Sequence, residues 1–279
     1  MSTTIDVTGR LSKMPVTQSS PVDYTLRVGD HQVALNPLLG QQIDIEYTGE
    51  IRCVHCDRKT SKSFNQGFCF PCFKRLAACD SCIMSPEKCH YHLGTCREPE
   101  WGETHCMTGH VVYLANSSGL KVGITRASQV PTRWIDQGAV AAIPMLRVAT
   151  RYLAGLVEVA CKQHVADRTN WRTMLKGEAP EVDLMAEREA LLAKIEPELE
   201  RLAAEHGAGS LEASAEPVWT TDYPVVVWPK TVKTHNLDKV PLASGVLQGI
   251  KGQYLILDTG VINIRKYTAY QVRVRACPA

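Results

Sequence analysis

The chain has 279 residues, 44% of them hydrophobic and 22% charged, and its formal net charge is +2. These proportions exclude a disordered chain, and the near-neutral charge neither requires nor excludes a nucleic-acid partner. No apolar run approaches the roughly 20 residues of a membrane-spanning helix, and residues 1–15 lack the apolar core of a secretory signal. We therefore expect a cytoplasmic protein without membrane contact, in which cysteines bind metal rather than form disulfides.

Short apolar or alternating runs, separated by turn residues, predict strands at both ends of the chain, in residues 1–50 and 217–279. We expect these two β segments to pair into one small barrel, with the rest of the chain inserted between them. The inserted segments are a Cys-rich module (51–108), a mixed α/β domain (109–178), and a helix with a linker (179–216). The predicted fold class is therefore α+β.

Nine of the eleven cysteines lie between Cys53 and Cys106. Two CxxC pairs, separated by twelve residues, predict the first metal site, and their cysteines are Cys53, Cys56, Cys69 and Cys72. Each pair offers two thiolates, and zinc prefers four such ligands in a tetrahedron. A predicted hairpin turn at residues 65–67 and a predicted short helix at 73–76 complete a layout typical of treble-clef or ribbon zinc modules. Four free cysteines in a core are the alternative, which the paired spacing disfavours.

The next cysteines are less regularly spaced, and we expect four of them to bind a second structural zinc ion. The favoured set is Cys82, Cys89, Cys96 and Cys106. Cys79 and His92 are the alternative ligands. Residues 79–106 contain few aliphatic side chains, so a metal is needed to order them. An Fe–S cluster or a redox-active thiol pair would also use cysteines, but no other feature indicates electron transfer.

A β-hairpin is predicted directly after the last of these cysteines. Its strands are Val111–Leu114 and Leu120–Ile124, and residues 116–119 form the turn. Arg133 follows on a predicted helix, and residues 141–149 predict a third strand. A long amphipathic helix then carries Glu158.

A second helix is predicted over residues 181–206, because apolar residues fall on one stripe of a helical surface. The stripe consists of Leu184, Leu191, Leu192, Ile195, Leu199 and Leu202. Pro197 should kink this helix or split it in two. Residues 207–217 are small and polar, which indicates a linker or loop.

Residues 109–178 resemble the GIY-YIG nuclease fold. Val111-Val112-Tyr113 occupies the place of the GIY triplet, and Lys121-Val122-Gly123 occupies the place of the YIG triplet. Arg133 matches the motif arginine and Glu158 the metal-binding carboxylate, and Asn170 follows twelve residues later. The Cys-rich module that runs directly into the hairpin also resembles an uncharacterised bacterial domain family.

The resemblance implies phosphodiester hydrolysis with one Mg²⁺ or Mn²⁺ ion held by Glu158. Arg133 would stabilise charge on the phosphate, and Tyr113 would orient or deprotonate water. Lys121 stands where the family has a tyrosine, so its use as a base requires that burial lowers its pKa.

Each of these residues has a structural alternative. Tyr113 can be a packing residue of a strand, and Arg133 can pair with a neighbouring aspartate on the surface. Glu158 can lie at the edge of the apolar stripe of its helix. Asn170 can cap a helix that begins at Trp171.

Nucleic-acid binding, to DNA or RNA, is the function that these features favour, with cleavage as an additional activity. Around the first metal site the basic residues are Arg52, Arg58, Lys59, Lys62, Lys74 and Arg75. They can contact phosphates while bases stack on Trp134 or Trp171. The alternative is a zinc-stabilised scaffold without catalytic activity that binds a protein partner.

Overall fold

The computed structural model describes residues 4–276, so the first three residues and residues 277–279, which include Cys277, lie outside the described part. The strands are β1 (Ile5–Arg10), β2 (Val16–Thr17), β3 (Asp23–Val28), β4 (His31–Ala34), β5 (Gln42–Arg52), β6 (Lys59–Thr60), β7 (His110–Asn116), β8 (Leu120–Arg126), β9 (Ala141–Val148), β10 (Leu211–Ala213), β11 (Trp219–Thr220), β12 (Leu242–Lys251), β13 (Tyr254–Leu257), β14 (Gly260–Asn263) and β15 (Tyr270–Ala276). The helices are α1 (Phe70–Arg75), α2 (Pro99–His105), α3 (Thr132–Asp136), α4 (Arg151–Lys162), α5 (Trp171–Leu175) and α6 (Leu184–His206). Short 3-10 turns are Asn36–Leu38, Ala77–Cys79, Ser81–Ile83, Pro86–Lys88, Tyr91–Leu93, Ala127–Gln129 and Ile264–Tyr267. This mixture of strands and helices confirms the α+β class.

The chain divides into two compact units. Unit 1 contains the residues up to Lys74, Leu175–Gly177 and the residues from Thr221, and unit 2 contains Arg75–Met174 and Glu178–Thr220. The boundary after Lys74 falls inside the segment that the cysteine pattern predicts as one module. The first four cysteines lie between the end of β5 and the middle of α1, with Cys72 inside α1, whereas the later segment packs on α4 of unit 2. No helix in residues 4–276 is both long and apolar enough to cross a bilayer.

Unit 1 is built on an antiparallel sheet that joins strands from both ends of the chain. β1 pairs with β15, β15 with β5, and β5 with β12, and β13 and β14 extend the sheet. Alternate side chains such as Ile43, Ile45, Val272 and Val274 are fully buried. Burial of each such side chain contributes roughly 1.5–3 kcal/mol. No pairing between the described residues of β1 and β14 closes the sheet, so the expected continuous barrel is not formed.

Unit 2 contains the antiparallel sheet β10-β9-β7-β8, with β11 also paired to β9. Every residue of the inner strand β7 is buried, which explains the apolar run from Val111 to Ala115. Val112 and Leu114 pack into a core with α4 and α6, while Val111 and Tyr113 point to the opposite face, where Trp134 of α3 lies. The hairpin β7–β8 therefore supplies side chains to both faces of the sheet.

Two local expectations need correction. The segment 207–217, expected to be a linker or loop, contains β10, because pairing with β9 uses backbone hydrogen bonds and requires no apolar side chains. The helix expected to be kinked or split at Pro197 is continuous from Leu184 to His206. Leu191, Ile195 and Leu202 anchor it in the core on both sides of the proline, and this packing outweighs the lost backbone hydrogen bond.

Candidate functional site

The first cysteine group lies at the end of β5 in unit 1. The ligand atoms of Cys53, Cys56, Cys69 and Cys72 all lie within 4.8 Å of one another, and the sulfurs of Cys56 and Cys69 are 3.7 Å apart. A tetrahedral zinc ion with bonds of about 2.3 Å places its sulfur ligands about 3.8 Å apart. The donor set therefore fits zinc, and these four cysteines can hold one ion.

Backbone hydrogen bonds hold the two CxxC turns together. The amide of Cys53 donates to the Arg58 carbonyl at 3.0 Å, and the amide of Val54 donates to the Gly67 carbonyl at 2.9 Å. Gly67 has φ +136°, and an added Cβ would lie 2.7 Å from Val54 Cγ1, so this turn requires glycine. The expected hairpin turn at residues 65–67 is present, and α1 carries the last cysteine.

The thiols of this group differ in acidity. Burial raises the pKa of the Cys53 thiol, but hydrogen bonds from the backbone amides of Cys56, Cys69 and His55 outweigh it and lower the pKa to about 6. Burial and the neighbouring cysteines raise the pKa of Cys72 to about 12. One thiolate thus forms readily, and a cation is needed to ionise the whole group.

The second cysteine group surrounds a small cavity in unit 2. The cavity has a volume of about 10 Å³, and its lining includes Cys82, Cys89, Cys96 and Cys106. This space suits one ion or one water molecule. Burial, with the charges of Asp80, Cys89 and Cys106 in addition, raises the pKa of the Cys82 thiol to about 11. The predicted ligand set therefore shares one cavity, although its binding of a second ion stays a prediction.

Asp80 and His90 also lie at this cavity, but both side chains already contact other polar groups. Asp80, Cys82 and His90 have ligand atoms within 4.8 Å of one another. However, His90 contacts Thr95 Oγ1 through Nδ1 at 2.8 Å and faces Asp80 through Nε2 at 3.5 Å. The Asp80 carboxylate accepts a charged hydrogen bond from Arg97 at 2.6 Å. The cysteine thiols are therefore better candidates for metal ligands than the Asp80 carboxylate and the His90 imidazole.

Cys79 and His92 are the alternative ligands predicted for this site. The ring of His92 packs against Tyr152, with ring centroids 5.4 Å apart, and Cys79 is not among the residues that line the cavity.

The proposed nuclease residues form a polar centre at the hairpin of unit 2. Tyr113 of β7 lies directly opposite Gly123 of β8, and an added Cβ on Gly123 would be 2.8 Å from the Tyr113 hydroxyl. The Tyr113 hydroxyl donates to Gln137 Oε1 at 2.8 Å and also lies against the Arg133 guanidinium. Burial raises the pKa of Tyr113 to about 12, although the charge of Arg133 opposes the change.

Lys121 and Glu158 belong to the same centre. Lys121 is only 5% exposed and forms no ion pair with any residue in the described range 4–276. Burial and the positive charge of Arg133 together lower its pKa to about 8, although the charges of Glu158 and Asp167 oppose the change. Four of the five predicted residues, Tyr113, Lys121, Arg133 and Glu158, therefore influence one another electrostatically.

The centre does not fit the Mg²⁺ or Mn²⁺ ion expected at Glu158. Lys162 already neutralises this carboxylate at 3.1 Å and also contacts Asp167 at 3.3 Å. Lys121 and Arg133 thus lie in the same region as the Lys162–Glu158 and Lys162–Asp167 ion pairs. A metal ion at Glu158 would have to displace the Lys162 ammonium, whereas an anion would be attracted by the charges of Lys121 and Arg133.

Asn170, the fifth predicted nuclease residue, caps a helix and does not belong to the polar centre. Its side-chain oxygen accepts hydrogen bonds from the amides of Arg172 and Thr173, at 3.2 and 3.3 Å, so it caps α5. Its own amide donates to Ser118 Oγ at 2.9 Å. Within the described part of the chain, none of its hydrogen bonds reaches the polar centre.

The sequence analysis missed two members of the centre. Lys162 lies four residues after Glu158, and Gln137 lies four residues after Arg133. Residues at this spacing are neighbours on a helix surface, so an examination of positions i+4 from each candidate could have found both.

Comparison with known proteins gives a family match and nothing more specific. Residues 40–272 match a family model described as "Protein of unknown function (DUF2797)". No curated protein and no solved structure matches the chain.

Proposed function

Because this match spans most of its length, the chain belongs to the DUF2797 family, and we propose that it is a zinc-containing protein that binds nucleic acid. The polar centre of unit 2, defined as Tyr113, Lys121, Arg133 and Glu158, contacts the phosphodiester backbone. The two cysteine groups each hold one structural zinc ion. The hairpin with Tyr113 opposite Gly123 supports the likeness to the GIY-YIG fold.

The observation that carries this proposal is the burial of Lys121 without a direct ion pair among the described residues. A buried ammonium without an ion pair destabilises a fold, so such groups concentrate at functional sites. Arg133 places a second cation nearby, and Lys162 compensates the charge of Glu158. A phosphate oxygen would supply the anion that Lys121 lacks, and the Arg133 guanidinium suits phosphate recognition by paired hydrogen bonds.

Hydrolysis of the phosphodiester is a second candidate activity, which the lowered pKa of Lys121 favours. With a pKa of about 8, roughly a tenth of the Lys121 side chains are neutral at pH 7 and can accept a proton from water. Tyr113, with a pKa of about 12, stays protonated and donates a hydrogen bond. Arg133 would stabilise the charge that develops on the phosphate.

The test measures the affinity of the protein for fluorescently labelled single-stranded and duplex DNA and RNA, by fluorescence anisotropy at low salt. Arg133→Ala should weaken binding by about fivefold, because one phosphate contact is lost. Glu158→Gln should strengthen binding by about threefold, since it removes a negative charge from an anion site. Lys194→Ala, on an exposed position of α6, is the matched control and should bind like the wild type.

The same samples distinguish the activities. Cleavage that persists in EDTA and is lost in Lys121→Met supports hydrolysis with Lys121 as the base. Cleavage that requires Mg²⁺ or Mn²⁺ and is lost in Glu158→Ala would contradict the anion-site account and favour a metal at Glu158. Absence of binding to every nucleic acid would overturn the proposal in favour of a zinc-stabilised protein scaffold.

A further inference from the structure

An aromatic and cationic surface lies beside the first zinc group in unit 1. The rings of Phe64 and Phe70 are 5.5 Å apart, and those of Phe64 and Phe73 are 5.6 Å apart. Phe70 is 53% exposed, although Phe64 and Phe73 are partly buried. The ammonium of Lys62 lies 5.4 Å from the centroid of the Phe64 ring. We call Phe64, Phe70, Lys62 and Lys74 the Phe70 surface.

Helix geometry places a second cation beside Phe70. Lys74 follows Phe70 by four residues on α1, so both side chains lie on the same side of the helix. Both lysines of the surface are exposed, and neither forms an ion pair with any residue between 4 and 276. Asp57, the acidic residue nearest to Lys62 in the sequence, is already paired with Arg10 at 3.0 Å and Arg52 at 3.3 Å.

The charge of the surrounding module is strongly positive. Residues 51–75 contain six basic residues, Arg52, Arg58, Lys59, Lys62, Lys74 and Arg75, and one acidic residue, Asp57. Arg52 is paired with Asp57 at 3.3 Å and with Glu50 at 2.6 Å, so the other basic residues carry the positive excess that favours an anionic partner. The exposed ring of Phe70 also offers a flat apolar face on which a planar group can stack, and neither a metal ion nor a free phosphate has such a group.

Nucleic acid in single-stranded form combines these two properties. Its bases are free to stack on a phenylalanine ring, while its phosphates lie within reach of lysines on either side. A duplex keeps its base faces covered by their neighbours, so it would engage the cations alone. From this complementarity we infer that the Phe70 surface binds single-stranded DNA or RNA by stacking one base on Phe70. This inference rests on the proposed nucleic-acid function and adds a second contact site to it.

The zinc group supplies the rigidity that such a contact needs. Cys69 and Cys72 flank Phe70 in the sequence, and both are buried ligands of the predicted ion. The amide of Phe73 donates to the Cys69 carbonyl at 2.9 Å, which fixes the first turn of α1. The ring is therefore held in place before the partner arrives, and less conformational entropy is lost on binding.

The experiment compares full-length, zinc-loaded Phe70 variants on oligonucleotides of twelve nucleotides. Phe70→Ala should weaken binding to single strands at least about fivefold, and Phe70→Tyr, which keeps the ring, should stay within about twofold of the wild type. Duplex binding should not change in either variant. Val240→Ala, which alters a side chain that is 62% exposed elsewhere in unit 1, is the control for loss of an exposed apolar group. Zinc content is measured for each variant, so that a loss of folding is recognised.

Salt titration tests the lysines separately. Lys74→Ala should reduce the slope of log affinity against log salt by about 0.7 for single strands, whereas Lys239→Ala on another exposed position should not. DNA and RNA strands of one sequence are compared, and a preference for either identifies the natural partner.

The possible failures can be distinguished. If Phe70→Ala binds single strands like the wild type while Arg133→Ala is weakened, the Phe70 surface is not a binding site and the proposed function stands. If Phe70→Ala weakens duplex binding equally, base stacking is refuted. If the wild type binds no nucleic acid, the proposed function fails first, and the inference with it.

Discussion

Replacing Lys121 by methionine should stabilise the protein at pH 7 and weaken its binding to nucleic acid. Lys121 is 5% exposed, and burial, with the charge of Arg133 in addition, lowers its pKa from 10.5 to about 8. The ammonium is therefore less favourable in the folded chain than in the unfolded chain. Methionine keeps an unbranched apolar side chain and removes the charge, so the folded state no longer carries this cost.

The magnitude follows from the two pKa values. Above pH 10.5 the amine is neutral in both states and costs nothing. As the pH falls from 10.5 to about 8, only the unfolded chain takes up the proton, and the folded state loses relative stability. Below about pH 8 the loss is complete and corresponds to about 3 kcal/mol. We therefore expect Lys121→Met to raise the free energy of unfolding by about 1–3 kcal/mol at pH 7, and by much less above pH 10.

The difference in unfolding free energy between Lys121→Met and the wild type is measured by urea unfolding at pH 7 and pH 9.5. Tryptophan fluorescence is the readout, because Trp134 lies in unit 2 together with Lys121. Lys194→Met, at an exposed position of α6, is the control and should change stability by less than about 0.5 kcal/mol at either pH. Equal stability of Lys121→Met and the wild type at pH 7 would refute the reasoning. A difference that does not shrink between pH 7 and pH 9.5 would refute it as well.

Two further predictions concern the zinc group and the polar centre. Cys69→Ser should lower the zinc content measured by elemental mass spectrometry by about one ion per chain, because it removes one ligand of four, whereas Cys161→Ser, a buried cysteine outside both groups, should leave the content unchanged. Normal zinc in Cys69→Ser would show that the group does not bind the ion. Gly123→Ala should cost about 1–3 kcal/mol of stability, because its Cβ would lie 2.8 Å from the Tyr113 hydroxyl, while Gly109→Ala, which meets no atom within 4 Å, should be tolerated. Equal melting temperatures of the two variants would contradict this packing.

Features with local causes could be predicted from the sequence. The two CxxC pairs identify the first zinc group because each pair is held by its own turn, and the grouping of Cys53, Cys56, Cys69 and Cys72 is confirmed. The turn at residues 116–119 predicts the hairpin, and β7 and β8 flank this turn in the structure. Apolar periodicity likewise indicates α4 and α6.

Features that depend on distant contacts could not be predicted in the same way. The pairing of β1 with β15 joins opposite ends of the chain, and no local signal specifies its register. The boundary between the units inside the Cys-rich segment arises from packing of Gly155 on Pro86 and Glu87, where an added Cβ would be 2.5 Å from the Glu87 amide. The pairing of Lys162 with Glu158 occupies the carboxylate that the sequence suggested as a metal ligand, and this pairing is seen only in the assembled structure.

The most direct test of the account is a salt titration of oligonucleotide binding by the wild type and Arg133→Ala. If the polar centre holds a phosphate, the wild type binds with an affinity that falls linearly on logarithmic axes as salt increases. Arg133→Ala should then bind more weakly and with a slope that is smaller by about 0.7 for a single strand or 0.9 for a duplex. Wild-type binding with the same slope in Arg133→Ala, or no binding at any salt concentration, would contradict the assignment of this centre as a nucleic-acid site.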